Sequence, residues 1–224
     1  MGLIGIFATA HSGLASLRLR GEQYIGARAY RVIFALVSLS LAVPLFIYYF
    51  NHRYDGLQLW QVQGLPGVHE FVLVLSAIAF LFLYPATFNL VEVAAIQKPQ
   101  VHLFETGITR VSRHPQLIGM ALWCMAHTLW LGTSFALITA IALVSYHLFG
   151  VWHGDRRLYQ RYGDAFLELK QRTSVIPFLA IAQGRQEFKW QEFARPAYVG
   201  VVITVILFRW LHPIVISASA NVFW

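Results

Sequence analysis

The side chains of this chain that could do chemistry are chiefly histidines that lie within apolar segments. His127 lies inside the apolar run 113–130, with Cys124 three residues before it. Residues three apart share one face of a helix, and ionisable side chains are costly in a bilayer unless they face a bundle interior or a bound group. Two interpretations stay open: an imidazole and a thiol that hold a metal or haem iron, or a histidine hydrogen-bonded to a neighbouring helix.

Two further histidines lie within apolar segments, His11 in the first and His147 in the fifth. A b-type haem takes axial ligands from facing helices, and imidazole is its usual donor. Depth along the helices, at about 1.5 Å per residue, does not select a pair. His11 with His147 is as feasible as His11 with His127, whereas His212 is expected to be an ordinary rim residue.

The step Arg113-His114-Pro115 is predicted to open a helix, because proline is tolerated at the first helical position. Two potential cations at a helix N-terminus oppose the helix dipole. They could anchor the chain to lipid phosphates, or bind a haem propionate or another cofactor carboxylate or phosphate through free N–H groups. His153 lies at the same predicted interface. We therefore take Arg113, His114, His147 and His153 as candidate cofactor-binding residues.

The composition is that of an integral membrane protein. Of 224 residues, 58% are hydrophobic and only 12% are charged, which fits a single all-α bundle of transmembrane helices and no separate soluble domain. The net charge of +7 does not indicate nucleic-acid binding, because the basic residues crowd into alternate loops. At roughly 20 residues per crossing, we predict six spans within 1–224: 2–17, 29–50, 68–96, 116–131, 133–151 and 197–219.

The basic loops set the expected orientation. They are the first, third and fifth, which places them on the cytoplasmic or stromal side and both termini on the opposite side. Between the fifth and sixth spans, 155–178 is predicted to be one amphipathic helix at the membrane interface. The chain lacks a glycine-rich phosphate loop, a nucleophile elbow and an intramembrane carboxylate pair, so an apolar substrate that enters from the lipid suits it better than a polar one.

Three segments, 104–135, 147–166 and 172–186, together with AHSGLASLR at 10–18, resemble the 15-cis-ζ-carotene isomerase family, which is related to the NnrU proteins. The resemblance implies conversion of 9,15,9'-tri-cis-ζ-carotene to 9,9'-di-cis-ζ-carotene, with haem b in its reduced state. It implies His11 and His127 as axial ligands and Cys124 as an exchange ligand. The electron donor is not implied.

The absence of a plastid-targeting extension leads us to expect a cyanobacterial member, in the plasma or thylakoid membrane. Two alternatives stay open. The start of the fourth span and the 152–196 insert also resemble membrane S-adenosylmethionine-dependent methyltransferases of the isoprenylcysteine carboxyl type, although Gly154-Asp155-Arg156-Arg157 stands where a glutamate-rich stretch is expected. The chain could also be a non-catalytic, NnrU-like haem membrane protein.

Overall fold

The computed structural model describes residues 2–87 and 103–220, and within them the chain is helical apart from turns and one isolated bridge between Gln58 and Thr133. The predicted all-α class is confirmed. A short 3₁₀ helix, Trp190–Phe193, lies in the insert. The α-helices are α1 Gly2–Ile25, α2 Ala27–His52, α3 Val68–Thr87, α4 Ile108–Val111, α5 Pro115–Leu131, α6 Ser134–Tyr162, α7 Asp164–Arg172, α8 Leu179–Ala182 and α9 Pro196–Ala220.

Each of the six predicted spans contains a helix, but the helices differ in length and apolar character. Three are long and apolar enough to cross a membrane: α2, α6 and the part of α9 from Tyr198 to Ala218. Val68–Leu83 in α3 is a shorter apolar helix. The last residues of the third predicted span, 88–96, lie outside the described residues. The chain is therefore a membrane protein by its apolar helices, while the count of six crossings stays a prediction.

The helices pack as hairpins joined by glycines. Gly26, with φ 83°, separates α1 from α2, and Gly132, with φ 64°, ends α5 before Thr133 caps α6. Glycine takes these positive φ values without the steric cost that a Cβ brings. The α5–α6 hairpin was predicted at this point and is confirmed. Gly119 lets α5 lie directly against α3, because a Cβ there would fall 2.7 Å from the Ala79 carbonyl oxygen.

The predicted amphipathic helix 155–178 is wrong in its extent. Its first part continues the helix of the fifth span, so that α6 runs unbroken from Ser134 to Tyr162. Gly163 then takes φ 53° and breaks the helix, and only α7 is a separate amphipathic segment, with Phe166 and Leu169 buried. The chain beyond α7 is not helical over 173–178: Thr173 is extended, and bends and a turn follow as far as Phe178.

This segment, 173–178, holds the connection between α4 and α5. The Arg113 N–H donates to the Ser174 carbonyl at 2.7 Å, and the Ser112 hydroxyl donates to the Val175 carbonyl at 2.7 Å. The Phe178 N–H donates to the Val111 carbonyl at 3.0 Å. The polar insert thus fixes the residues that start α5, which are the ones the sequence singles out.

Candidate functional site

The start of α5 is held by one carboxylate. Asp155, on α6, accepts hydrogen bonds from Nε2 of His114 at 2.6 Å and from Nη2 of Arg113 at 3.1 Å. The Lys170 ammonium lies 3.7 Å from the same carboxylate. Because only 8% of the Arg113 side chain and 15% of the Asp155 side chain are exposed, water screens this pair little.

This carboxylate explains why two potential cations stand at a helix N-terminus. Their unfavourable interaction with the helix dipole is offset within the protein by Asp155, which is 41 residues away from His114 in the chain. Arg113 also bonds Thr173 at 3.2 Å, so its guanidinium is used inside the protein. Of Arg113 and His114, it is His114 that also lines the cavity described next.

That cavity lies between α1, α5 and α6 and measures about 240 Å³. It brings together four of the histidines that the sequence analysis selected. We call it the histidine cavity, and its polar lining residues are His11, Ser12, His114, Gln116, Tyr146, His147, His153 and Arg157. Arg113 does not line it.

His11 and His147 enter the histidine cavity from two different helices. The His11 ring lies 4.6 Å from the Phe34 ring and 5.2 Å from the Phe7 ring, and its Nδ1 is 2.9 Å from the Ser38 hydroxyl. His147 Nδ1 is 2.9 Å from the Leu143 carbonyl, which can only accept, so this nitrogen carries the proton. In the neutral imidazole with this tautomer, Nε2 carries the lone pair that a metal ligand requires.

His127 has the same tautomer but a different position. Its Nδ1 donates to the Trp123 carbonyl at 2.8 Å, and its ring stacks on the Trp123 ring at 3.9 Å. The centre of the His212 ring, on α9, lies 6.2 Å from that of His127. His127 therefore faces α9 and does not line the histidine cavity.

The structure does not bring His11 and His127 together. Leu117 lines the histidine cavity with His11, and His127 lies ten residues further along α5. At 1.5 Å per residue that is about 15 Å, whereas metal–imidazole bonds are about 2 Å long. The structure therefore places the two rings in different parts of the bundle, and joint ligation of one iron stays a prediction.

Cys124 lies on yet another side of α5. Its side chain is buried and faces a second cavity, of about 520 Å³, between α5 and α6. Apolar side chains and Trp60 form most of this lining, and we call it the apolar groove. Within the described residues, no three His, Cys, Asp or Glu side chains are grouped closely enough to hold a metal ion.

Comparison with known proteins assigns the family. The model of the NnrU protein family matches residues 1–220. The chain belongs to the NnrU family. It is 53% identical over 225 residues to 15-cis-zeta-carotene isomerase, chloroplastic, of Arabidopsis thaliana and 53% identical over 222 residues to the protein of the same name from Zea mays. The alignments cover 99% and 98% of this chain and 61% of each relative, so the chain spans about three-fifths of their length. No solved structure matches it.

Sequence reasoning missed two residues of this NnrU-family chain. Asp155 precedes Arg156 and Arg157 in a basic segment, and a lone acid in such a segment is the sequence signal of an ion-pair partner elsewhere in the fold. The sequence predicts that His212 is an ordinary rim residue, yet its half-buried ring contacts those of His127 and Phe208. No spacing in the sequence links α9 to α5.

Proposed function

We propose that this chain is a cis–trans isomerase of carotenoid biosynthesis that converts 9,15,9'-tri-cis-ζ-carotene to 9,9'-di-cis-ζ-carotene. The observation that carries the proposal is 53% identity, over nearly the whole chain, to two proteins named 15-cis-zeta-carotene isomerase. Those relatives are named as chloroplastic. For this chain we propose a plasma or thylakoid membrane of a cyanobacterium.

The apolar groove supports a hydrocarbon substrate. Its lining includes only three side chains with a hydroxyl or thiol, those of Cys124, Thr128 and Ser145, and no ionisable acid or base other than the thiol. Met125 and Ile141, which also line it, are 50% and 58% exposed. A molecule without polar groups would therefore enter from the lipid and be positioned by shape and apolar contact.

We extend the proposal to haem b as the cofactor. When bound, haem supplies an iron centre whose redox state governs the isomerisation. The donor set fits, because neutral imidazoles on facing helices are the usual ligands of b-type haem. His11 on α1 and His147 on α6 supply two such imidazoles to one cavity, whereas the family resemblance designates His11 and His127. His11 is common to both assignments.

The residues of the chain itself would orient the histidine rings and bind the substrate. Ser38 fixes the His11 ring, and the Leu143 carbonyl fixes that of His147. Asp155 fixes His114 through Nε2. Such outer partners hold a ring in one tautomer and orientation. Tri-cis-ζ-carotene would lie in the apolar groove, whose lining has no charged side chain that would have to lose its hydration.

The proposal is tested in a bacterial host that accumulates tri-cis-ζ-carotene. The chain is expressed with ample haem, the cells are kept in darkness because light also isomerises polyenes, and the pigments are separated by chromatography. We expect the 9,9'-di-cis isomer to accumulate only when the chain is present. Unchanged tri-cis substrate, with the chain present in the membrane and haem-loaded, would contradict the proposed function.

A further inference from the structure

The histidine cavity contains potential cations and no acid. Five of its lining side chains carry a guanidinium or imidazole, namely those of Arg157, His11, His114, His147 and His153. Asp155, the carboxylate nearest in sequence to this end of α6, is directed to Arg113, His114 and Lys170 instead and does not line the cavity.

Arg157 is the permanent charge of this cavity, since a guanidinium stays protonated in proteins. Its hydrogen bond within the described residues is to the Ala15 carbonyl, at 3.5 Å. Arg18, one turn further along α1, is paired with Glu22 at 2.6 Å, so that acid is already used. The Arg157 charge thus has no carboxylate partner in the part of the chain that the structure describes.

The lining is graded along α6. His147 comes first, His153 follows about 9 Å further along the helix and Arg157 about 15 Å further, at 1.5 Å per residue. On α1 the order agrees, because the His11 ring contacts that of Tyr146, and the Ala15 carbonyl, about 6 Å further along α1, accepts from the Arg157 side chain. The His11 and His147 imidazoles therefore lie toward one end of the cavity, and His153 and Arg157 lie toward the other end, which we call its rim.

We propose that the histidine cavity binds an oxyanion, a carboxylate or a phosphate, through Arg157 and His153 at its rim, with the rest of the ligand in the membrane. Arginine matches planar carboxylates and phosphates with two parallel N–H donors. The volume of about 240 Å³ suits such a group rather than a whole lipid. Two sources present this chemistry at a membrane interface: the carboxylate edge of haem b and the phosphate of an anionic lipid. The first source rests on the proposed function with haem b as cofactor, and the second does not.

The test compares Arg157→Gln with Arg156→Gln in the purified full chain. Arg156 is the matched control, because it is the adjacent arginine, both arginines are exposed, and the Arg156 guanidinium lies 5.8 Å from the centre of the Trp152 ring rather than in the cavity lining. One arm titrates haem b and its dimethyl ester by visible absorption. The other measures phosphatidylglycerol retained against phosphatidylcholine by mass spectrometry. Arg157→Lys, which keeps the charge, checks that any loss is not a folding defect.

We expect Arg157→Gln to weaken the binding of one of these two anions at least about tenfold, as loss of a charge-assisted hydrogen bond predicts. Arg156→Gln should leave the binding of both unchanged. Weaker binding of haem b but not of its dimethyl ester identifies the carboxylate source. Lower retention of phosphatidylglycerol alone identifies the phosphate source. If Arg157→Gln and Arg156→Gln match the unmodified chain in both arms, the anion site is refuted. A chain that binds no haem refutes the cofactor proposal, and the lipid arm then decides the anion site.

Discussion

Nε2 of His114 lies 2.6 Å from Oδ1 of Asp155, and this contact ties the first residue before α5 to the far end of α6. The turn at Gly132 joins the other ends of the two helices, so α5 and α6 are connected near both ends. The same carboxylate receives the Arg113 guanidinium. One acid therefore sets the position of α5, which carries both His127 and Cys124.

Replacing Asp155 with Asn should lower the stability of the bundle. The change keeps the side-chain shape but removes the negative charge from between a buried guanidinium and an imidazole, which costs roughly 2 kcal/mol for hydrogen bonds of this kind. We expect a lower thermal unfolding midpoint in detergent. Glu168→Gln is the control, because Glu168 is 72% exposed and its pairing with Arg172 is at 4.0 Å. Equal midpoints for the two variants would show that Asp155 does not hold α5.

Replacing Gly119 with Ala should also destabilise the fold, although alanine normally favours a helix. The added Cβ would lie 2.7 Å from the Ala79 carbonyl oxygen and 2.9 Å from the Leu83 nitrogen, so α3 and α5 must separate. Overpacking of this kind costs about 1–3 kcal/mol. Gly5→Ala is the matched control, since nothing lies within 4 Å of a Cβ there. A midpoint for Gly119→Ala at or above that of Gly5→Ala would mean that the contact is looser than described.

Much of this fold can be predicted from the sequence, and the features that cannot be predicted share a physical reason. Apolar runs predict helices because burial of backbone polar groups in lipid leaves few alternatives, and Gly132-Thr133 predicts the α5–α6 turn by local preference alone. The pairing of His114 with Asp155 does not follow, because it joins residues 41 apart. The same holds for His127 beside His212.

The separation of the candidate residues into distinct sites is likewise a tertiary property. Cys124 and His127 are three residues apart, which predicts that they share one helix face, yet the thiol faces α6 and the imidazole faces α9. Three residues turn a helix by about 300°, so the two side chains point about 60° apart. Two residues on one broad face can therefore contact different helices of a bundle. Only the placement of α6 and α9 decides this.

Acid should weaken the polar insert through Glu105. Hydrogen bonds from Arg172, at 3.1 Å, hold the pKa of Glu105 below its ordinary value of 4.5, against a smaller opposing effect of burial. A lowered native pKa contributes stability that is fully present above the unfolded value and is lost as pH falls through the native value. The midpoint of the unmodified chain should therefore fall more steeply below about pH 4.5 than that of Glu105→Gln.

Glu187→Gln is the control for this experiment, because Glu187 is 79% exposed. Its midpoint should follow that of the unmodified chain across the same range. If Glu105→Gln also follows it, the ion pair with Arg172 contributes nothing to stability, as is common for exposed pairs.

The orientation of the bundle can be tested by labelling. In a Cys124→Ser background, single cysteines at Asp55 and Lys189 should react from opposite sides of the membrane, because the basic loops are expected on one side and the loop after α2 on the other. Membrane-impermeant maleimide applied to sealed vesicles of known orientation measures this. Reaction of both sites from the same side would contradict the predicted topology.

The haem ligands give the last prediction, and here the family resemblance and the geometry differ. His11 is common to both assignments, so His11→Ala should remove the low-spin haem spectrum and stop conversion of the tri-cis substrate. If the resemblance is right, His127→Ala does the same, and His147→Ala costs only about tenfold to a hundredfold in haem affinity, as loss of an outer partner does. If the cavity geometry is right, these two results are exchanged: His147→Ala removes the low-spin spectrum, and His127→Ala only weakens haem binding.

Cys124→Ser should keep haem bound through imidazole in either case, and should change the redox dependence of activity only if the thiol exchanges onto iron. Tyr146→Phe, which keeps the ring beside His11 and loses the bond to Ser12 at 3.4 Å, is the control for packing changes in the cavity. A normal low-spin spectrum in His11→Ala would exclude both pairs, because no remaining histidine of α1 could replace it.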